Sequence, residues 1–330
     1  MTTVRSAAFG GSFLFETPSR IFTPEDFTPE HRAIARTTDE FFSNEVAPNL
    51  EAILRQDFEV LRRVLRKSAE LGLVATMVPE AYGGMEMDLT SAMIVTQGVA
   101  RDASYASSHG AQAGIGALAV VLFGTEDQKQ RYLPKLVSAE WLGAYCLTEP
   151  QAGSDALNIA TRAELSPDGR HYILNGQKMW ITSGGFADLF TVFAKVNGEK
   201  FTAFLVERTS PGVAVGAEEK KMGLKGSSTT AVYFDNVHVP VENVLGEIGR
   251  GHILAFNILN LGRLKLAMFA HGESMEALSH SLRYAAERRA FGKSIGEFGL
   301  IQQKLADMAA RMFANESMAY RITGQIELQP

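Results

Sequence analysis

Apolar and polar positions change their period twice along the chain. Up to about Ser138 the apolar residues recur at three- and four-residue steps, the spacing of one helix face. Residues 1–27, with Pro18 and Pro24, read as irregular. Thr28-Pro29-Glu30 sets a hydroxyl N-cap before a proline at the first helical position and opens a helix to about Val46, ended by Pro48. Ile53, Leu54, Phe58, Leu61, Val64, Leu65 and Ala69 share one face of a second helix, from about Leu50 to Leu71, which Gly72 stops. Asp88 caps a helix through Ala100. Small residues from Ala103 to Gly116 lead into a helix ending at Phe123, and Gly124-Thr125-Glu126-Asp127 caps an amphipathic helix to about Ser138. From about Ala139 to Gly246 the period is mostly two, in runs rich in Val, Phe and Tyr, with hairpin turns at Pro167-Asp-Gly169 and Asn197-Gly198. From about Arg250 it is helical again. Leu264, Met268, His271, Met275, Leu278 and Leu282 mark one long helix, and Ile301, Leu305, Met308, Met312 and Ile322 a second, expected to pack nearly antiparallel. The pattern predicts an α+β multidomain chain: an all-helical domain over 1–138, an antiparallel β-barrel or sandwich domain over 139–247, and two helices of a C-terminal bundle over 248–330.

Composition narrows the classes. The 330 residues are 46% hydrophobic, enough for two or three domains with packed cores. Lys and Arg total 32 against 37 Asp and Glu, a net charge of −5 with no basic run, which argues against a nucleic-acid partner. Cys146 is the one cysteine, so no internal disulfide forms. It sits in an apolar strand, where a buried, inert thiol in a reducing compartment is the expected reading. Met1–Gly11 lacks the apolar core of a signal peptide, and no window reads as the roughly 18 apolar residues of a membrane span, so a cytoplasmic location and no transmembrane segment are expected. The seven histidines lack metal-ligand spacing, and no metal is expected. Gly114-Ile-Gly-Ala-Leu-Ala119 fits a loose dinucleotide fingerprint, but it follows no buried strand and no βαβ pattern follows it, so small residues packing helices is the better reading.

Two strand ends carry the candidate chemistry. Tyr145-Cys-Leu147 runs into Thr148-Glu-Pro150 and Gly153-Ser154, and Trp180-Ile-Thr182 runs into Gly184-Gly185. Proline ends the strand and glycine lets a ligand approach the backbone. Side by side, the two ends would offer a flat ring, hydroxyl donors and free N–H groups, which suit a planar heteroaromatic cofactor with a phosphate tail. Taken alone, each is also an ordinary polar-capped strand end with a core tryptophan. With Val78-Pro-Glu-Ala-Tyr-Gly-Gly84, Lys221-Met-Gly-Leu-Lys-Gly-Ser-Ser-Thr229, Leu261-Gly-Arg263 and Glu287-Arg-Arg-Ala-Phe-Gly-Lys293, these stretches make the chain resemble the acyl-CoA dehydrogenases, nearest their very-long-chain branch, over nearly its whole length.

The resemblance implies FAD as cofactor and a fatty acyl-CoA as substrate. The implied reaction is α,β-dehydrogenation, with a carboxylate taking the α-proton while hydride leaves the β-carbon for flavin N5. It implies that Thr148 and Thr182 hydrogen-bond the pyrimidine edge of the flavin and that Trp180 packs on its ring. Ser154, with Gly153, is implied at the pyrophosphate or the thioester, and the backbone N–H groups of Tyr145, Leu147 and Ile181 complete the cradle. Arg288 and Phe291 are implied to reach the cofactor of a neighbouring subunit, although a charged surface run and a turn-filling ring are the plain alternatives. Asn260 and Arg263 are implied on the pantetheine side of the cleft. Departures from the family pattern fall at Asn158, Ala290 and Phe298-Gly299. The family's base is expected beyond Pro330 or, in its rarer position, at Gly262, so no catalytic residue is expected in this chain and little or no turnover from it. The last helical domain is expected to be truncated after two of four helices, leaving an apolar groove or an oligomer that covers it. An electron-transfer flavoprotein acceptor and a homodimer or homotetramer are implied. A non-catalytic binding or assembly protein, and an acyl-CoA oxidase or flavin monooxygenase, remain as alternatives on the same scaffold.

Overall fold

A computed structural model describes residues 20–327. Most of the N-terminal stretch read as irregular, and Leu328–Pro330, lie outside those residues. Among the described residues seven α-helices come first: α1 (Pro29–Phe41), α2 (Leu50–Leu54), α3 (Phe58–Glu70), α4 (Leu89–Val99), α5 (Ala103–Gly110), α6 (Leu118–Phe123) and α7 (Glu126–Val137). The caps act as the sequence suggests. Thr28, Asp88 and Thr125 each accept a hydrogen bond from the backbone N–H three residues on, at His31, Ser91 and Gln128. The helix expected over Leu50–Leu71 is broken in two. Gln56 takes a left-handed φ of 64°, and Asp57 then caps α3 by accepting from Val60 N–H. The capping carboxylate competes with the preceding helix for the backbone, so the chain restarts rather than continues. The small-residue stretch holds a wide π-helical turn at Ala111–Gly116, between α5 and α6.

Eight strands follow: β1 (Gly143–Cys146), β2 (Arg162–Leu165), β3 (His171–Thr182), β4 (Leu189–Val196), β5 (Lys200–Glu207), β6 (Val213–Glu218), β7 (Thr229–Pro240) and β8 (Val244–Leu245). They form one sheet in the order β6-β7-β3-β2-β4-β5-β8, with β1 also on β4. The expectation of a wholly antiparallel domain needs correcting, because β1 and β2 both run parallel to β4. They share one edge of it end to end: β1 pairs Leu189–Val192 and β2 pairs Lys195 and Val196. The chain leaves the sheet between them, at Leu147–Thr161. The β4–β5 hairpin turns through residues 197–199, between the paired Val196 and Lys200; Asn197 and Gly198 both take positive φ, 52° and 76°, and Glu199 N–H donates to the Val196 carbonyl.

β4 and β5 are buried on both faces, hence their near-continuous apolar runs. Phe190, Val192 and Ala194 point into a core shared with Tyr172, Leu174, Val232 and Phe234 of the curled sheet. Leu189 and Phe193 point the other way, onto Leu133 and Leu136 of α7 and onto the start of the next helix.

That helix, α8 (Gly251–Glu287), is followed by the short strands β9 (Arg289–Ala290) and β10 (Lys293–Ser294) and by α9 (Gly299–Glu327). Successive contacts step in opposite directions along the two helices. His271 faces Glu316, Ser274 and Ala277 share a cleft with Met308 and Met312, and Ser294 donates back to the Ala285 carbonyl. The pair is therefore antiparallel. By length and apolar content alone, Ala103–Phe123 and Gly251–Glu287 both qualify as membrane spans, which corrects the reading that no window does. The apolar window of the first is 61% buried within the fold and that of the second 28%, and a core helix meets the same requirement of length and composition.

Candidate functional site

The cradle forms where β1 leaves the sheet and β3 runs past it. Met179 N–H donates to the Thr148 carbonyl at 2.9 Å, which holds the two ends together. Below them lies a pair that sequence reading passed over. Lys178, wholly buried, donates to the Leu147 carbonyl at 3.2 Å and to Glu149 Oε1 at 2.7 Å. Glu149 also accepts from Gln151 Nε2 and from the N–H groups of Ala160 and Thr161. Burial works to raise its carboxyl, but the Lys178 charge and these hydrogen bonds outweigh it and hold the group below its ordinary value. Glu149 and Ala152 exchange two backbone hydrogen bonds at 3.1 Å, a tight turn that delivers Gly153 and Ser154 to the site. The sequence signal for the pair was weak, a lysine between the polar Asn175-Gly-Gln177 and the apolar Met179-Trp-Ile181. A charge there needs a buried partner, but nothing local says which.

β3 and β7 lose register between Lys178 and Ile181, and Trp180 sits in this bulge with φ at +56°. The extra residue turns the indole outward, leaving it 60% exposed at the rim of the site. Just beyond, Arg208 donates to the carbonyls of Gly184, Gly185 and Ala187 and pins the loop after Thr182.

A cavity of about 290 Å³ opens between the two ends. Tyr145, Leu147, Thr148, Gly153 and Ser154 line it from the β1 side, Trp180 and Ile181 from β3, and Arg263 from α8. Phe256 and Leu259 of α8 complete the wall and were not foreseen. Asn260 is held to Arg263 by a 2.6 Å hydrogen bond. Tyr145 ties the helix to the sheet, its hydroxyl donating to the Ala255 carbonyl at 3.2 Å. Thr182 lines a second, more apolar cavity of about 300 Å³ between α4, α5, the π-helical turn and α8. Arg288 and Phe291 are not brought to either cavity. They lie past the C-terminal end of α8, with Phe291 almost fully exposed. Cys146 is fully buried, and burial pushes its thiol up to about 12, so it is no nucleophile. Lys265, in the wall of the second cavity, is a further residue that helical spacing did not single out.

Family profiles described as acyl-CoA dehydrogenase N-terminal, middle and C-terminal domains match residues 28–140, 144–237 and 249–329. A Bacillus subtilis protein named as a probable acyl-CoA dehydrogenase is 50% identical over 320 residues, 96% of this chain and 54% of that protein. The Bos taurus mitochondrial very long-chain specific acyl-CoA dehydrogenase is 46% identical over 268 residues, 78% of this chain and 41% of the relative. The crystal structure of an acyl-CoA dehydrogenase complexed with FAD from Bacillus anthracis superposes with a TM-score of 0.93 at 50% identity, covering 96% of this chain and 55% of that one. The chain thus spans about half the length of these relatives.

Proposed function

Because this chain belongs to the acyl-CoA dehydrogenase family, we propose that it binds FAD between the Thr148 and Trp180 ends and serves the α,β-dehydrogenation of an acyl-CoA thioester. One observation carries this reading. Eight of the twelve residues assigned from sequence line a single cavity, drawn from β1, β3 and α8. The β-end groups suit a flat cofactor with a phosphate tail, with hydroxyls at Thr148 and Ser154 and an indole face at Trp180, while Arg263 across the cavity is left for the substrate. Bound there, the flavin supplies a hydride acceptor.

The chain's own residues have three tasks in this scheme. The Thr148 hydroxyl orients the ring edge from the first cavity and Thr182 from the neighbouring one that it lines, and Trp180 covers a ring face. Arg263, steadied by Asn260, marks the pantetheine side. The apolar walls of the second cavity keep water from the acyl chain, which strengthens every charge interaction at the thioester. Arg288 and Phe291 are proposed to serve the cofactor of a second subunit in a homodimer or homotetramer, with an electron-transfer flavoprotein as acceptor.

The group that takes the α-proton is proposed to lie outside these 330 residues. In support, no carboxylate among the described residues lines either cavity, and Gly262 stands at the rarer family position of the base. The 330 residues alone are therefore expected to bind flavin and thioester without turnover. This favours a binding role for these 330 residues by themselves. Adding a saturated acyl-CoA anaerobically to the flavin-loaded chain tests both halves. A spectrum that shifts but keeps its yellow band supports them, prompt bleaching refutes the absent base, and a chain that stays colourless with FAD refutes the flavin site.

A further inference from the structure

The second cavity holds a charge that a hydrocarbon chain cannot use. Lys265 is 8% exposed and lines this cavity one turn of α8 from Gly262, an axial rise of about 4.5 Å. Its ammonium carries three donors. One goes to the Ala113 carbonyl, at 3.2 Å, in the π-helical turn. Among the described residues the other two have no protein acceptor, and no Asp or Glu lines the cavity.

The other polar groups of the wall are already satisfied or uncharged. Thr96 and Ser107 donate back along their own helices, to the carbonyls of Ala92 and Ala103. Among the described residues, His109 is the one other titratable group lining the cavity. Its Nε2 meets Ser68 Oγ at 3.0 Å, and burial together with the Lys265 charge pushes the ring down to about 3, so it stays neutral. Leu224, Leu266, Phe269 and Ile115 are apolar. Among the described residues, Lys265 is thus the one buried cation in the wall of a cavity that is otherwise mostly apolar.

A methyl-ended chain that fills this cavity strips the remaining donors of water and gives nothing back, whereas an anionic acceptor satisfies both the donors and the charge. We infer that the cavity is built for an acyl-CoA whose chain carries a carboxylate, held by Lys265 beyond the reacting carbons. The inference rests on the acyl-CoA reading above and narrows its substrate class. It also accounts for why a cation persists where Gly262, Ala106 and Ala111 leave room for an uninterrupted hydrocarbon.

Calorimetric titration of the flavin-loaded chain, which needs no turnover, tests it with matched pairs: butyryl- against succinyl-CoA, hexanoyl- against adipoyl-CoA, and octanoyl- against suberoyl-CoA. At pH 7 the carboxylate member of at least one pair is expected to bind about ten-fold or more tightly than its methyl-ended partner. Lys265→Met should erase that preference while improving binding of the methyl-ended ligand. The wild-type chain supplies an independent arm that no misfolded variant can confuse. Burial pulls the free amine down to about 8, so methyl-ended ligands should gain affinity as pH rises through that value and carboxylate ligands should lose it. Equal or weaker binding of the carboxylate member at every length overturns the inference and leaves the acyl-CoA reading intact. If no thioester of either kind binds, the functional reading falls and takes the inference with it.

Discussion

Glu149 shows how much a single side chain sets at this site. Its carboxylate neutralises Lys178, gathers the Ala160 and Thr161 amides, and so fixes the loop that carries Ser154. Glu149→Gln keeps the shape but leaves a buried ammonium without its anion, and is expected to lower stability by about 3–5 kcal/mol in urea unfolding. The pH dependence follows from the depressed carboxyl. The pair's contribution is present above the unfolded glutamate value of about 4.3 and is lost as pH falls through the lower folded value, so the wild-type and variant stability curves should converge in that acid range. Trp180 is the second residue-scale feature. A bulky side chain in the left-handed region costs about 1–2 kcal/mol, and here the β3 bulge imposes it to present the ring. The identity of Trp180 was readable from its neighbours in sequence. Its strain was not, because the bulge exists only once β3 has paired with β7.

Among the elements, α4 and α8 govern how the second cavity is closed. They touch at Gly272, where an added Cβ would lie 2.3 Å from the Gln97 carbonyl oxygen. Gly272→Ala should gain about 1 kcal/mol of helix propensity and still be destabilising by a net 1–3 kcal/mol or so, because the helices must part. A lowered thermal midpoint, together with weaker thioester binding, is the expected result; an unchanged midpoint would show that the crossing is not close-packed. Helix starts were legible because their caps are local: Thr28, Asp88 and Thr125 act within three residues. The break at Gln56 and Asp57 was missed because apolar periodicity runs straight across it. The parallel pairing of β1 and β2 with β4 was missed for a different reason. Strand direction in a sheet depends on partners distant in sequence, and alternation is the same in either sense.

At the scale of the whole molecule, α8 and α9 leave large apolar side chains in solvent. Leu300 is 75% exposed and Phe313 72%, with Leu266, Tyr284 and Met318 also uncovered. A surface of this kind favours association. The chain is expected to sediment as a concentration-dependent oligomer, and Leu300→Glu combined with Phe313→Glu should shift it toward monomer; a wild-type chain monomeric at every concentration would count against this. The sequence by itself determined the three-part order of helices, sheet and helices, because periods of 3.6 and 2 are properties of the backbone. It also singled out the ends at Thr148 and Trp180, which the fold brings to one cavity, because prolines, glycines and hydroxyls act where they stand. Only the tertiary structure decided that Glu149 and Lys178 lock those ends together, that Arg263 of α8 joins them, and that Lys265 faces the neighbouring cavity. Each of these depends on groups far apart in sequence meeting in a buried place, where an unpaired charge is costly and a paired one directs the chain.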